Sequence, residues 1–352
     1  MNDRSAAESV DGSVDGSVDG SAASLPIIGI AGAGVTGQAV GRVLRHLGVR
    51  TAWFDTQPGA AVRASRRHGG VVLDRSDDLH VVDAVVVTSP VPQYDQVGAL
   101  VDGGVHVVCT SDDDADVALM LALQRRAEDA GSRTVVGAAL SPGLSGLLAR
   151  HLVTQLHTVD EIHVAMHGTG GPACARQHHD ALAGRARGWH DGEWIERPGG
   201  SGRELCWFPD PIGPADCYRA ASADPAILHR AFPQAGRVSA RVSATRRDRL
   251  TARLPMLAPP HAEGDRGAVR VEVRGALADG ARETFVVGAV GRTGDLAGTV
   301  AALYAAACAE RRVPVGVHVP GEHPDLDRRV LDGVVLAGVQ LHEFTGVARA
   351  VV

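Results

Sequence analysis

Hydrophobic and polar positions follow two rhythms along this chain. From Leu25 to about residue 140, short apolar runs alternate with amphipathic stretches. The runs PIIGIA (26–31), TAWFD (51–55), VVL (71–73), VDAVVVTS (82–89), HVVCTS (106–111) and RTVVGAAL (133–140) predict strands. Helices are predicted over 37–47, 60–67, 93–104 and, as one long element, 112–131. Near-continuous apolar strands separated by helices imply a parallel sheet covered on both faces. After residue 155 the pattern changes to period-two alternation in TVDEIHVAMHG, GRELCWFP, RVSARVSAT, AVRVEVRGAL and ETFVVGAV, which predicts a mixed or antiparallel sheet. An Ala-rich helix over 293–312, a further helix and VQLHEF complete the chain.

The expected class is therefore α/β: a doubly wound parallel sheet of Rossmann type plus a second, mixed α+β domain for substrate and dimerisation. Expected boundaries are a disordered tail over 1–24, a dinucleotide-binding domain over 25–155, a substrate domain over 156–292, and C-terminal helices over 293–352 that return to the first domain. The tail carries SVDGSVDGSVDGS, small and acidic, with too little apolar area to offset chain entropy.

Composition narrows the chemistry. The 352 residues contain 35 basic and 41 acidic side chains, a formal charge of −6, which gives no electrostatic footprint for nucleic acid. No apolar run suits a bilayer crossing, and the first residues do not form a basic-then-apolar leader, so a cytoplasmic protein with a small-molecule substrate is expected. The five cysteines show no C-x-x-C pair and read as isolated thiols. Every basic residue other than histidine is arginine. The absence of lysine removes the P-loop lysine, Schiff-base chemistry and any lysine proton relay.

GAGVTG places Gly32, Gly34 and Gly37 in G-x-G-x-x-G spacing between a strand and a helix. Such a loop turns tightly at the first glycine, admits a pyrophosphate at the second and packs helix on strand at the third. With Val35 and Thr36 it presents a helix N-terminus to phosphate. Asp55 ends the second strand, where a carboxylate accepts hydrogen bonds from a ribose diol. This favours NAD; Arg63, Arg66 and Arg67 keep NADP as the alternative. GAGVTGQAV with VVVTSP also resembles the N-terminal domain of the muramyl-peptide ligases, but their ATP loop needs a lysine. Thr88, Ser89 and Pro90, with Thr110 and Ser111, follow consecutive strands and should border the nicotinamide end.

A second strand–turn–helix design lies at VVGAALSPGLSGLLARHL (135–152), with Ser141 and Gly143 in its turn. VVVTSP…ALVDGGVHVVCTS…RRAEDAGSRTVVGAALSPGLSGLLA resembles the saccharopine dehydrogenase-like NAD(P)-dependent oxidoreductases, and the likeness continues weakly through HDGEWIERPGG, FPDPIGP and GVHVPGE. The resemblance implies a Rossmann domain, a dimerising substrate domain, and hydride transfer at a C–N bond of an amino-acid-derived or imine substrate. Ser141 stands where that family carries an acidic residue, Tyr94 where it places a histidine, and Asp112 where it places a tyrosine. A relative with another substrate than saccharopine is thus implied. A non-catalytic dinucleotide-binding or redox-sensing protein, and a dehydrogenase acting on CH–OH, are the alternatives.

Hydride transfer needs a proton carrier, and histidine suits neutral pH. MHGTGGPACARQHHDALAG gathers His167, His178 and His179 with Arg176, a carboxylate clamp candidate. His178 or His179 is the expected carrier, and Tyr94 a further catalytic candidate. Arg176, His167, Asp112, Ser141 and Gly143 are expected at the substrate. Cys174, His178 and His167 are spaced too loosely for a metal, and no metal site is expected. Homodimerisation is expected.

Overall fold

The computed structural model describes residues 25–57, 59–256 and 266–344. The expected tail over 1–24 and the end of the C-terminal segment lie outside them. Seven parallel strands make the first sheet. They are β1 (Ile27–Ala31), β2 (Arg50–Phe54), β3 (Val71–Val72), β4 (Ala84–Val87), β5 (His106–Cys109), β6 (Arg133–Val135) and, far along the chain, β15 (Gly316–His318), ordered β15-β6-β5-β4-β1-β2-β3. Ile28, Ile30, Val85, Val86, Val107 and Val108 are fully buried, as both-face coverage requires. The order reverses between β1 and β4, the kind of switch point at which doubly wound sheets open a crevice for ligands.

The second sheet has nine strands. Seven run β10-β11-β12-β7-β13-β14-β16, with β7 at Thr158–His167, β10 at Glu204–Trp207, β11 at Pro214–Tyr218, β12 at Arg237–Ser243, β13 at Arg266–Ala276, β14 at Arg282–Arg292 and β16 at Leu341–Glu343. A hairpin of β8 (Arg185–His190) and β9 (Glu193–Pro198) hangs from β12. β7 and β12 are parallel; the other pairs are antiparallel. Alternating burial along β12 and β13 follows the period-two pattern that the sequence shows there.

The predicted helix over 112–131 is two helices, Asp114–Leu121 and Gln124–Ala130. Val117, Met120 and Leu123 are buried, a spacing of three rather than 3.6. The Leu123 amide accordingly reaches back three residues to the Met120 carbonyl. The strand predicted over 133–140 stops at Val135; beyond it the Val136 amide bonds the His318 carbonyl and the Ala138 amide bonds Cys109.

Helix Thr293–Ala309 is buried over nearly its whole length. It lies on helix Val35–His46 and on the β4–β5 face of the first sheet. Its small residues allow that approach, since a Cβ on Gly298 would sit 2.5 Å from the Ala39 Cβ. The last strand goes the other way, pairing with β14 of the second sheet. No helix among the described residues is long and apolar enough to cross a membrane.

Candidate active site

The first glycine loop is built as its spacing requires. Gly32 has φ +110°, and any Cβ there would meet Thr88 and Ser89 at 2.8 Å. A Cβ on Gly37 would lie 1.9 Å from the Gly32 carbonyl. Nothing stands within 4 Å of a Cβ on Gly34, so the crevice above it is open. The amides of the first helical turn at Val35, Thr36 and Gly37 have no carbonyl one turn behind them and suit an anion. The Asp55 carboxylate accepts from the Ala33 and Gln57 amides, each at 2.7 Å, which braces the loop beside the end of β2. The Thr88 hydroxyl donates to the Gly32 carbonyl at 2.7 Å.

Residues after β7 reach over this loop. A Cβ on Gly171 would touch Val35 at 3.2 Å, and one on Gly170 would come within 3.8 Å of the Thr36 hydroxyl. Between them and β7 lies Thr169, buried, with no hydrogen-bond partner for its hydroxyl among the described residues. Gln93, buried after β4, sends its amide nitrogen to Ser89 while its Oε1 has none either. Two buried polar atoms without partners beside an open glycine crevice fit a polar cofactor.

The second strand–turn–helix is wired differently. The Leu144 and Ser145 amides, at the start of helix Leu144–Val153, bond the Ala139 and Leu140 carbonyls. Gly143 has φ +127°, and a Cβ there would fall 2.2 Å from the Ala139 carbonyl. This turn offers no helix end to a ligand. Its hydroxyls instead hold Asp224: Ser141 at 2.7 Å, Ser145 at 2.6 Å, with Ser222 at 3.0 Å. Burial pushes the Asp224 carboxyl up, while the three hydroxyls work against the shift.

Above that anchor lies a narrow cavity between the sheets. Asp112 and Ser141 enter it from the first sheet; Cys174 and His178 from helix Pro172–Ala183; Asp224 from helix Asp224–Ala231; and Arg241 from β12. It has room for a water or two. Burial pushes the Asp112 carboxyl up to about 7; a backbone hydrogen bond opposes this, and Asp224, Asp113 and Asp116 add to it. The adjacent acids do other work. Asp113 caps helix Asp114–Leu121 through the Asp116 amide at 2.8 Å, and Asp114 pairs with Arg187 at 3.0 Å. Arg241 pairs with Glu204 at 2.8 Å, and its Nε is buried without a partner among the described residues. The His178 Nε2 lies 3.0 Å from the Ser243 carbonyl. A carbonyl only accepts, so Nε2 carries a proton and changes of protonation fall on Nδ1.

A structural search places this architecture. Saccharopine dehydrogenase (L-Glu forming) from Saccharomyces cerevisiae superposes with a TM-score of 0.66 at 14% identity, over 91% of this chain and 100% of that one. The chain has the saccharopine dehydrogenase fold. A meso-DAPDH mutant crystallised with DAP, from Clostridium tetani E88, matches with a TM-score of 0.50 at 14% identity, over 86% of this chain and 95% of that one. No protein-family model and no curated protein sequence matches.

On the saccharopine dehydrogenase fold, the candidate residues divide. Gly32, Gly34, Val35, Thr36, Gly37 and Asp55 form one continuous cradle. Several hydroxyls expected at the cofactor are engaged in the scaffold: Thr110 donates to the Val87 carbonyl, Ser89 to Gln96, and Ser111 to Asp116. Asp112, Ser141 and His178 share the cavity, while Gly143 shapes the turn beneath it.

Other candidates lie elsewhere. His179 points to the Leu254 carbonyl at 2.9 Å. Successive residues on a helix stand about 100° apart, so adjacent histidines cannot face one cavity. Arg176 is exposed on the same helix, and the cavity's guanidinium is Arg241. The Tyr94 hydroxyl lies 3.5 Å from Arg126, beside the Arg126–Asp102 ion pair on the surface. The His167 Nδ1 is 2.8 Å from the Ser243 hydroxyl, and its ring packs on Phe208. Among the described residues His167, Cys174 and His178 do not assemble three metal donors. Burial pushes the thiols of Cys109 and Cys174 up to about 12, so neither is a ready nucleophile.

Sequence reasoning missed Gln93, Thr169, Asp224 and Arg241. For Arg241 a signal existed: strand alternation puts it on one face with Ser239 and Ser243, and Ser243 holds His167.

Proposed function

We propose that the protein is an NAD(P)-dependent oxidoreductase that moves hydride at a carbon–nitrogen bond of an amino-acid-derived or imine substrate. The observation that carries this reading is the cavity that gathers Asp112, His178 and Arg241, where burial pushes the Asp112 carboxyl up to about 7. The glycine cradle, Asp55, Gln93 Oε1 and Thr169 Oγ1 would hold the cofactor, and Asp55 favours NAD. When bound, the nicotinamide supplies or accepts the hydride.

The chain's own side chains handle charge and protons. Arg241, paired here with Glu204, suits a substrate carboxylate, and the Asp112 carboxyl suits an ammonium or iminium group, once the two sheets part to widen the cavity. Asp112 gives a proton to the nitrogen in reduction, or takes one in oxidation, with His178 Nδ1 as the adjacent relay. Two solved structures that share the fold are a saccharopine dehydrogenase and a meso-DAPDH crystallised with DAP, which supports a substrate of this class.

The test has two stages. Fluorescence titration should show NADH binding tighter than NADPH; binding of neither overturns the cofactor reading. Screening pairs of amines and 2-oxo acids for NADH oxidation should then find turnover that D112N lowers by about 100-fold or more at unchanged NADH affinity. Turnover of hydroxy acids or polyols alone would move the assignment to CH–OH, and cofactor binding without any turnover would move it to a non-catalytic binder.

A further inference from the structure

Away from that cavity, the edge of the first sheet ends in a compact group of donors. His318 closes β15, and the chain then turns through Pro320 and Gly321 into Glu322 and His323, before helix Pro324–Leu336. The His318 Nδ1 and His323 Nε2 are 2.8 Å apart, and Glu322 Oε2 stands 3.7 Å from the same His318 nitrogen. One atom from each residue lies within 4.8 Å of the others, the one such three-residue group among the described residues.

We propose that His318, Glu322 and His323 bind one divalent first-row transition ion of the zinc type. Two imidazoles and a carboxylate are a recurrent donor set for zinc. Ligation at about 2.0–2.1 Å from each nitrogen in a tetrahedron sets the two nitrogens about 3.3 Å apart, so the rings need to part by only about half an ångström.

The turn that carries these donors is fixed. Gly321 has φ +99°, and a Cβ there would meet the Gly146 carbonyl at 3.0 Å and the Phe232 ring at 3.2 Å. A Cβ on Gly146 would in turn sit 2.3 Å from the Pro320 carbonyl, so the turn is pressed onto helix Leu144–Val153. The Val319 amide donates to Glu322 Oε2 at 3.0 Å, which aims the carboxylate. His323 also borders a surface pocket of about 290 Å³ shared with Arg312, Pro314 and Arg329, a route for the ion and for a water as fourth ligand.

A cationic surround opposes a cation: the Arg230 guanidinium lies 3.7 Å from Glu322 Oε2 and is also bonded to the Val317 carbonyl, Arg150 acts on His323, and Arg312 and Arg329 line the pocket beside it. It makes the site selective. Hard ions that depend on carboxylate charge should be rejected, whereas ions that bond imidazole strongly should be kept. The bound ion would staple the sheet-edge strand to the following helix.

The experiment uses untagged full-length protein stripped with chelator. Zn²⁺ calorimetry should give one ion per chain, and Co²⁺ should develop the intense visible bands of four-coordinate cobalt. Zn²⁺ should raise the unfolding temperature, and Mg²⁺ should not. H323A and E322Q, with folding checked by circular dichroism, should weaken Zn²⁺ at least about tenfold while leaving NADH affinity unchanged. His323 is half-buried, and E322Q keeps a side-chain oxygen to accept from the Val319 amide, so both variants should fold. Absence of uptake, or uptake unchanged in both variants, overturns the proposal.

Discussion

The Ser141 hydroxyl donates to the Asp224 carboxylate at 2.7 Å, joining the turn after β6 to a helix that lies against β8 and β12 of the second sheet. With Ser145 and Ser222, it makes Asp224 the buried knot between the two sheets. D224A leaves the buried hydroxyls of Ser141 and Ser145, with half-buried Ser222, facing a void, and should destabilise by about 3 kcal/mol or more. S141A leaves Asp224 two donors and should cost about 1–2 kcal/mol. Urea unfolding followed by circular dichroism gives both values. A D224A loss no larger than that of S141A would show the knot to be dispensable.

Gly34 and Gly37 should respond to alanine in opposite ways. Gly34 has φ −73° and open space where a Cβ would go, so G34A should fold with parental stability. Its methyl group would enter the crevice, and NADH affinity should fall about tenfold or more. G37A drives a Cβ into the Gly32 carbonyl and should destabilise by about 2–4 kcal/mol. Thermal unfolding and NADH titration of the pair separate backbone packing from cofactor contact. Equal loss of stability in both would remove the distinction.

His178 and His179 offer a second contrast on one helix. H178A should lower turnover by about 10²–10³-fold with cofactor affinity intact. H179A removes a bond to the Leu254 carbonyl, and should cost about 1 kcal/mol of stability with turnover nearly parental. Steady-state kinetics on both variants decides it; comparable kinetic losses would count against the placement of the proton near His178.

Asp112 fixes a pH dependence. Its folded value of about 7 lies above the unfolded value of about 3.9, so the folded chain keeps a proton that the unfolded chain has lost. Stability from this group is full below about pH 4 and declines as pH rises toward 7. D112N mimics the neutral acid without the penalty. It should be more stable than the parent by about 1–3 kcal/mol at pH 8, with the gap closing below pH 4. The pH profile of turnover should carry a break near 7 that D112N abolishes. A stability gap that does not change with pH would contradict the proton-holding carboxyl.

The first sheet was legible because parallel strands buried on both faces appear as unbroken apolar runs such as AVVV and HVVC. The glycine cradle was legible for a similar reason: spacing alone forces its contacts. The break at Ala122–Leu123 was not, since a three-residue burial spacing differs from a helical one only by slow drift. The cavity was hardest to read. Asp112, Asp224 and Arg241 lie on three elements more than a hundred residues apart at the extremes, and nothing local marks Asp224 as more than the start of a helix. The doubled design at 135–152 resembles the first loop in pattern. Only the hydrogen bonds show that its amides are already satisfied and that its serines face a carboxylate.

Helix Thr293–Ala309 and strand β15 return to the first sheet after the chain has built most of the second. The first sheet is therefore completed late, and only β16 of the second follows it. A polypeptide truncated after residue 155 would lack an edge strand and the alanine-rich cover over β4 and β5, and would present bare valine faces to water. On a ribosome, the amino-terminal half must wait for its own lid to emerge. Complementation of such a truncated piece by the remaining carboxy-terminal piece, supplied separately, should restore a species that neither yields alone.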